Sequence, residues 1–186
     1  NNGAHVYGES RIQPEVIRQK SPIARVYLTP EKPAATGKAL EAIRRADLIL
    51  MGPGSLFTSI IPNFLVDGIS REVQSCMARK ILVCNMMTQP GETDRYSVWD
   101  HVTRIAEYLG DDIIEYVIAN NKMIDAEALR PYKEDKAEQI NTDAQDKEGK
   151  AVEKSPNLAP DKREHVIGAA NDGSETPATS ASSPSS

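Results

Sequence analysis

The stretch ADLILMGPGSLFTSIIPN, residues 46–63, decides the fold. Its LILM core at 48–51 is a continuous apolar run of strand length closed by Gly52, with no polar alternation. Such a run is the mark of a strand buried on both faces of a parallel sheet. A Gly/Pro/Ser loop follows, then helical stretches at about 58–67 and 70–78, with Pro62 near a first turn where its missing N–H costs little. Working outward, 80–86 (KILVCNM) reads as a second apolar strand and 113–119 as a third. Between them, 98–109 is a helix with Val102, Ile105 and Leu109 at helical spacing and Gly110 as C-cap. A last short helix starts at 125–129. Upstream, 24–28 is a β-prone run stopped by Thr29-Pro30, and Thr36 is a good N-cap for a helix over 37–45. Strand, helix, strand, helix, strand at this spacing predicts an α/β fold, a βαβαβ half of a doubly wound, mostly parallel sheet with right-handed crossovers.

Composition divides the 186 residues in two. Residues 133–186 contain no Phe, Trp or Tyr, hold only Ile140, Val152, Leu158, Val166 and Ile167 among Val, Ile, Leu and Met, and end in SETPATSASSPSS. So few apolar groups do not offset the entropy of ordering that much backbone, so the expectation is one α/β domain over 1–132 and a disordered, low-complexity polar tail over 133–186. Residues 1–132 carry 15 basic and 16 acidic side chains and the tail 7 and 11, so the tail supplies most of the net −5. A nearly neutral folded part argues against nucleic acid and anionic membrane as partners. No apolar run reaches the length of a membrane span and NNGAHVYGES is no signal peptide. Cys76 and Cys84 are too few and too apolar in setting for a disulfide framework or zinc, so both are read as small hydrophobes in a reducing cytoplasm. No metal site is expected.

In open parallel sheets, ligands bind beyond the carboxyl ends of the strands. Two such ends carry unusual loops. The first, 52–59, offers Gly52 and Gly54 for positive φ and close backbone approach, free N–H groups from Ser55 to Ser59, and the hydroxyls of Ser55, Thr58 and Ser59 as donors to phosphate oxygens. It has no Gly-Lys-Thr ending, and Phe57 stands at the third glycine of a dinucleotide fingerprint, so it is neither familiar phosphate loop. A tight capped turn is the competing reading. The second, Asn85-Met-Met-Thr-Gln-Pro-Gly-Glu-Thr93, presents donors and acceptors on a Pro-Gly turn and would flank the same crevice. Other residues are set aside. His101 after Asp100 reads as a capping or surface residue, Asp111-Asp112 as a solvated helix exit, and Met51, Met77, Met86 and Met87 as core or loop packing. His5 and His165 lie in ragged stretches, and no Ser-His-Asp or Cys-His set is present, so no catalytic residue is assigned.

The runs at 46–69 (ADLILMGPGSLFTSIIPNFLVDGI) and 80–102 (KILVCNMMTQPGETDRYSVWDHV), with Val6-Tyr-Gly-Glu-Ser10, closely resemble the YvcK/CofD-like family over roughly 5–122. Within it the chain resembles the YvcK, or gluconeogenesis-factor, branch more than the CofD transferases. The resemblance implies a Rossmann-like nucleotide-binding domain. For the YvcK branch it implies a cytoplasmic UDP-sugar-binding regulator needed for normal cell shape and growth on gluconeogenic carbon sources, with UDP-N-acetylglucosamine or a related nucleotide sugar as ligand. For the CofD branch it implies 2-phospho-L-lactate transfer to a deazaflavin in coenzyme F420 biosynthesis, with Mg²⁺ a candidate there alone. Carried over by motif, the phosphate loop falls on Gly52, Pro53, Gly54, Ser55, Thr58 and Ser59, and the second ligand loop on Asn85, Thr88, Gln89, Gly91 and Glu92.

The chain also departs from the family. It shows no Gly-Gly-Gly-Thr-Gly turn after a first strand and no counterpart of the family's C-terminal Arg-His-Asp segment, for which Lys162-Arg-Glu-His165 does not substitute. The expectation is the later part of the family domain without its N-terminal part. Three readings stand: a non-enzymatic nucleotide-sugar regulator, a phospholactyl transferase, and a truncated fragment that binds nothing. A homo-oligomer is left open.

Overall fold

The structure, a computed structural model, describes residues 3–142 and 166–168. Four parallel strands, β1 (Leu48–Met51), β2 (Arg79–Val83), β3 (Tyr116–Ala119) and β4 (Val166–Gly168), form one sheet in the order β1-β2-β3-β4. The helices are α1 (Glu9–Gln19), α2 (Gly37–Arg44), α3 (Ile61–Phe64), α4 (Ile69–Ser75), α5 (Val98–Leu109) and α6 (Arg130–Glu134), with a π-helical turn, Leu56–Ile60, leading into α3. The expected α/β class and parallel sheet are present. Within the described residues the strand order advances one way, and right-handed crossovers in one direction place their helices on one face.

The register shows which face. Met51 pairs with Leu82 and Leu82 with Val117. These three and Ala119 are buried, together with Phe57, Ile61, Val73, Val102, Ile105 and Leu109 from the helical layer. The alternate residues point the other way, and Leu48 and Leu50 are 48% and 57% exposed. The LILM run, expected to be buried on both faces, is therefore covered on one. Apolar runs reflect a strand's suitability for two-sided burial, and the second layer is not among the described residues. Lys80 lies on the buried face, where its stem packs inward and its Nζ donates to the Cys76 carbonyl at the end of α4, 2.7 Å away.

Helix α5 follows its sequence closely. Ser97 and Asp100 form a reciprocal capping box, and Gly110, at φ +89°, closes the helix by donating to the Ala106 carbonyl. Thr36 caps α2 by accepting from Ala39 N–H. Elsewhere the structure corrects the sequence. Residues 24–28 are in no strand, although Val26 is buried. Helix α1, in a stretch for which the sequence predicts no element, forms with Pro14 inside it. The last helix begins at Arg130 rather than 125. Met77 is 96% exposed and Met86 is exposed, so only Met51 of the four methionines is core.

Part of the stretch assigned to the tail is packed. Ile140 is buried, Thr88 N–H donates to the Glu138 carbonyl, Ile140 N–H donates to that of Met86, and 166–168 pair with β3. Composition averaged over 54 residues hides such short apolar anchors. The other tail positions, 143–165 and 169–186, lie outside the described residues, as does His165.

The one-sided sheet makes a test. Leu82→Ala should cost about 2–5 kcal/mol in urea unfolding, as a buried Leu truncation does. Leu50→Thr on the open face should stay within about 0.5 kcal/mol. Equal losses at both positions would show that the open face is covered.

Candidate functional site

The register that pairs Met51 with Leu82 brings the ends of β1 and β2 level, so both polar loops leave the sheet side by side. Gly52, at φ +85°, turns so close to β2 that a Cβ would sit 2.7 Å from the Val83 carbonyl oxygen; only glycine fits. The Gly52–Pro53 bond is cis and Pro53 is exposed. Gly54 does not have the positive φ expected of it, and its backbone is held instead by Asn85. Gly54 N–H donates to Asn85 Oδ1 at 3.0 Å and Asn85 Nδ2 donates to the Gly54 carbonyl at 2.9 Å. This pair of bonds makes the two loops one unit.

Beyond the clamp, Ser55 caps the π-helical turn. Its Oγ accepts from Thr58 N–H at 3.2 Å and from Thr58 Oγ1 at 2.6 Å, and donates to Glu92 Oε2 at 2.7 Å. Ser59 N–H and Ile60 N–H both donate to the Ser55 carbonyl. The donors expected to form an anion nest from 55 to 59 are thus partly consumed. The turn takes the amides of 58, 59 and 60; among the described residues those of Ser55, Leu56 and Phe57 are not engaged by it, and Leu56 and Phe57 are buried. Glu92 is 7% exposed, and burial raises its carboxyl above the usual range, against the lowering effect of the Ser55 bond.

The second loop is held from several sides. Thr88 is buried and its Oγ1 accepts from Glu138 N–H. Gln89 N–H donates to Thr93 Oγ1, the Gln89 carbonyl accepts from Glu92 and Thr93, and its side-chain Oε1 is buried with no partner among the described residues. Gly91, at φ +85°, seats α1: a Cβ there would meet Ile17 Cγ1 at 2.8 Å and the Gln13 carbonyl at 3.2 Å. Of the eleven residues named from the sequence, the structure joins Gly54 with Asn85 in one hydrogen-bonded pair and Ser55, Thr58 and Glu92 in a second set beside it. Gly52 and Gly91 set backbone turns, Thr88 faces Glu138, and Ser59 and Pro53 are exposed.

A cleft of about 1430 Å³ separates the N-terminal segment 3–32 from the helical layer, lined by Val6, Tyr7, Gly8 and Glu9 on one side and Phe57 and Thr58 on the other. The V-x-G-E-S segment, noticed in the sequence as a family marker, is thus a wall of this cleft. Arg25, Lys32 and Arg71 also line it. Among the described residues no group of three or more His, Cys, Asp or Glu side chains is placed to hold a metal ion. Cys84 is buried, and burial pushes its thiol up to about 12, leaving it unreactive at neutral pH.

His101 was read as a surface or capping residue and is neither. Asp100 does the capping, while His101 is 3% exposed, edge-on to Tyr96, with Nδ1 at 2.8 Å from the Ser97 carbonyl and Nε2 buried with no partner among the described residues. Its position one helical turn from Val98 and Ile105, on the apolar stripe, was the signal available in the sequence.

The family model described as 2-phospho-L-lactate transferase CofD matches residues 1–157. The gluconeogenesis factor of Bacillus subtilis is 40% identical over 152 residues, 82% of this chain and 47% of that protein. The gluconeogenesis factor of Halalkalibacterium halodurans is 41% identical over 142 residues, 76% of this chain and 43% of that protein. Among solved structures, a UPF0052-family protein from Bacillus halodurans superposes with a TM-score of 0.71 at 40% identity, covering 77% of this chain and 45% of that one. The chain spans less than half the length of these relatives. No helix among the described residues is long and apolar enough to cross a membrane.

Two tests follow from this geometry. Asn85→Asp keeps the acceptor for Gly54 N–H but loses the donor to the Gly54 carbonyl, and should cost about 1–3 kcal/mol with faster hydrogen exchange at Gly54. Burial lowers the His101 pKa, so the unfolded chain takes up a proton that the folded one resists. Stability should therefore fall as pH drops from about 6.5. His101→Phe should flatten that limb of a pH series of unfolding midpoints.

Proposed function

The chain belongs to the 2-phospho-L-lactate transferase CofD family, and from that premise we propose that it acts as a gluconeogenesis factor of the YvcK type. In this reading it is a cytoplasmic regulator without catalytic turnover that binds a UDP-sugar, such as UDP-N-acetylglucosamine, and supports cell shape and growth on gluconeogenic carbon sources. The relatives bearing the name gluconeogenesis factor support the first part. The ligand part rests on one observation: the two polar loops at the ends of β1 and β2 are tied by the Gly54–Asn85 bonds beside a cleft onto which Thr58 opens. The diphosphate would lie against Thr58 where it lines the cleft, at the end of a parallel sheet where such ligands sit. The cleft walls carry Arg25, Lys32 and Arg71 beside Glu9, Glu15, Glu31 and Asp67, so their charge is mixed and the placement of the diphosphate rests on Thr58 alone.

The description of the matched family favours a second reading, phospholactyl transfer to a deazaflavin alcohol. Positioning and electrostatics could carry such a reaction without a nucleophilic side chain. Mass spectrometry of the chain incubated with a phospholactyl donor and the deazaflavin alcohol decides it: a phospholactyl product would establish it.

Calorimetric titration of the full chain with UDP-N-acetylglucosamine should show saturable binding. Thr58→Val, close in shape but without the hydroxyl, should weaken it about ten- to a hundredfold, the worth of one hydrogen bond to a charged group. No heat and no thermal shift at millimolar ligand would overturn the nucleotide-sugar reading.

A further inference from the structure

We propose that Glu92, acting through Ser55, sets the direction in which the Thr58 hydroxyl points, so that seating a phosphate oxygen against Thr58 takes up one proton. This rests on the nucleotide-sugar reading and specifies how the same site chooses its ligand.

The argument is an inventory of donors. An ionised carboxylate only accepts, and each hydroxyl has one hydrogen and two lone pairs. With Glu92 ionised, the Ser55 hydrogen goes to Glu92 Oε2, and the two Ser55 lone pairs take Thr58 N–H and the Thr58 hydroxyl hydrogen. Thr58 has then spent its only hydrogen inward. It is Thr58, not Glu92, that lines the cleft, so the cleft meets an acceptor backed by a buried negative charge. That arrangement suits a ligand hydroxyl and repels a phosphate.

Adding one proton to Glu92 reverses the chain without moving a heavy atom. The carboxylic acid donates to Ser55 Oγ, Ser55 donates to Thr58 Oγ1, and the Thr58 hydrogen turns outward. Ser55 still accepts from Thr58 N–H, so the cap of the turn survives. The proton comes from solvent, and only hydrogen bonds change. The surroundings make the neutral acid reachable. Glu92 is nearly fully buried, Glu9 on α1 faces it with the same charge, and Asp94 on its own loop is engaged by Gly91 N–H. The Ser55–Thr58 segment carries no charge, and among the described residues no basic side chain forms an ion pair with Glu92. A ligand phosphate at Thr58 adds further negative charge and draws the proton in.

The test is calorimetry of the full chain with UDP-N-acetylglucosamine, whose diphosphate does not titrate between pH 5 and 8, in buffers of different ionisation heat. Wild type should take up about one proton per ligand at neutral pH, with affinity falling about tenfold per pH unit above the Glu92 pKa. Glu92→Gln, a neutral amide able to donate to Ser55, should bind without proton uptake and with a flat pH profile. Binding without proton uptake in wild type, or a Glu92→Gln variant that keeps the slope, overturns the proposal; the wild-type proton count decides it even if the variant does not fold. If UDP-N-acetylglucosamine gives no heat at any pH, the nucleotide-sugar reading falls, and inorganic sulfate becomes the probe. A sulfate-induced shift of the Thr58 amide that strengthens with acid in wild type alone would sustain the Glu92 inference, and no shift, or one independent of pH, would overturn it.

Discussion

The pairing of β1 with β2 is the constraint on which the site depends. Parallel strands can begin and end at any relative height, but Met51 opposite Leu82 puts Gly52 and Val83 at one level. The chain must then leave β1 within 2.7 Å of where a side chain would meet the Val83 carbonyl, which excludes every residue but glycine at 52. From there the loops run close enough for one asparagine side chain to satisfy both backbone groups of Gly54. A shift of one residue would separate the clamp, place Ser55 out of reach of Glu92, and turn the alternate apolar set of β1 inward.

Much of this was legible. Apolar runs of strand length, Ser and Thr caps and the Gly110 stop are local signals, and β1, β2, β3, α2 and α5 formed where those signals lie, whereas the run at 24–28 formed no strand and β4 fell in the stretch read as a tail. The two loops stood out because glycine, proline and hydroxyl residues cluster at strand ends. What the sequence could not show is which polar groups face one another. Glu92 and Ser55 are 37 positions apart, and nothing in either loop says that a carboxyl will consume the hydroxyl reserved for a phosphate. Thr88 was turned to Glu138, fifty positions away, by the same kind of long-range pairing. Local errors had local causes. The stretch of α1, with Pro14 inside it, was assigned no element, and His101 was judged by its neighbour Asp100 rather than by the apolar stripe it belongs to.

The open face of the sheet and the reach of the family match belong together. Leu48 and Leu50 are apolar because strands of this class are built for burial on both sides, yet the described helices cover only one. The relatives are more than twice as long as the region they share with this chain.

The hydrogen-bond inventory also bears on why a capped turn and a binding loop are hard to tell apart by composition. Both need hydroxyls next to unconsumed amides, and a serine at the cap serves the turn first. In this loop the cap saturates Ser55 completely, so the chemistry presented to the cleft passes to Thr58, whose one hydrogen has two places to go. The choice between them is made by a group that does not touch the cleft. A buried carboxyl with no basic partner among the described residues is costly to keep ionised, and the short bond from Ser55 is what offsets part of that cost. Stabilising the turn and setting the polarity of the site are therefore one interaction, and a sequence with a smaller or neutral residue at 92 would keep the first only by changing the second.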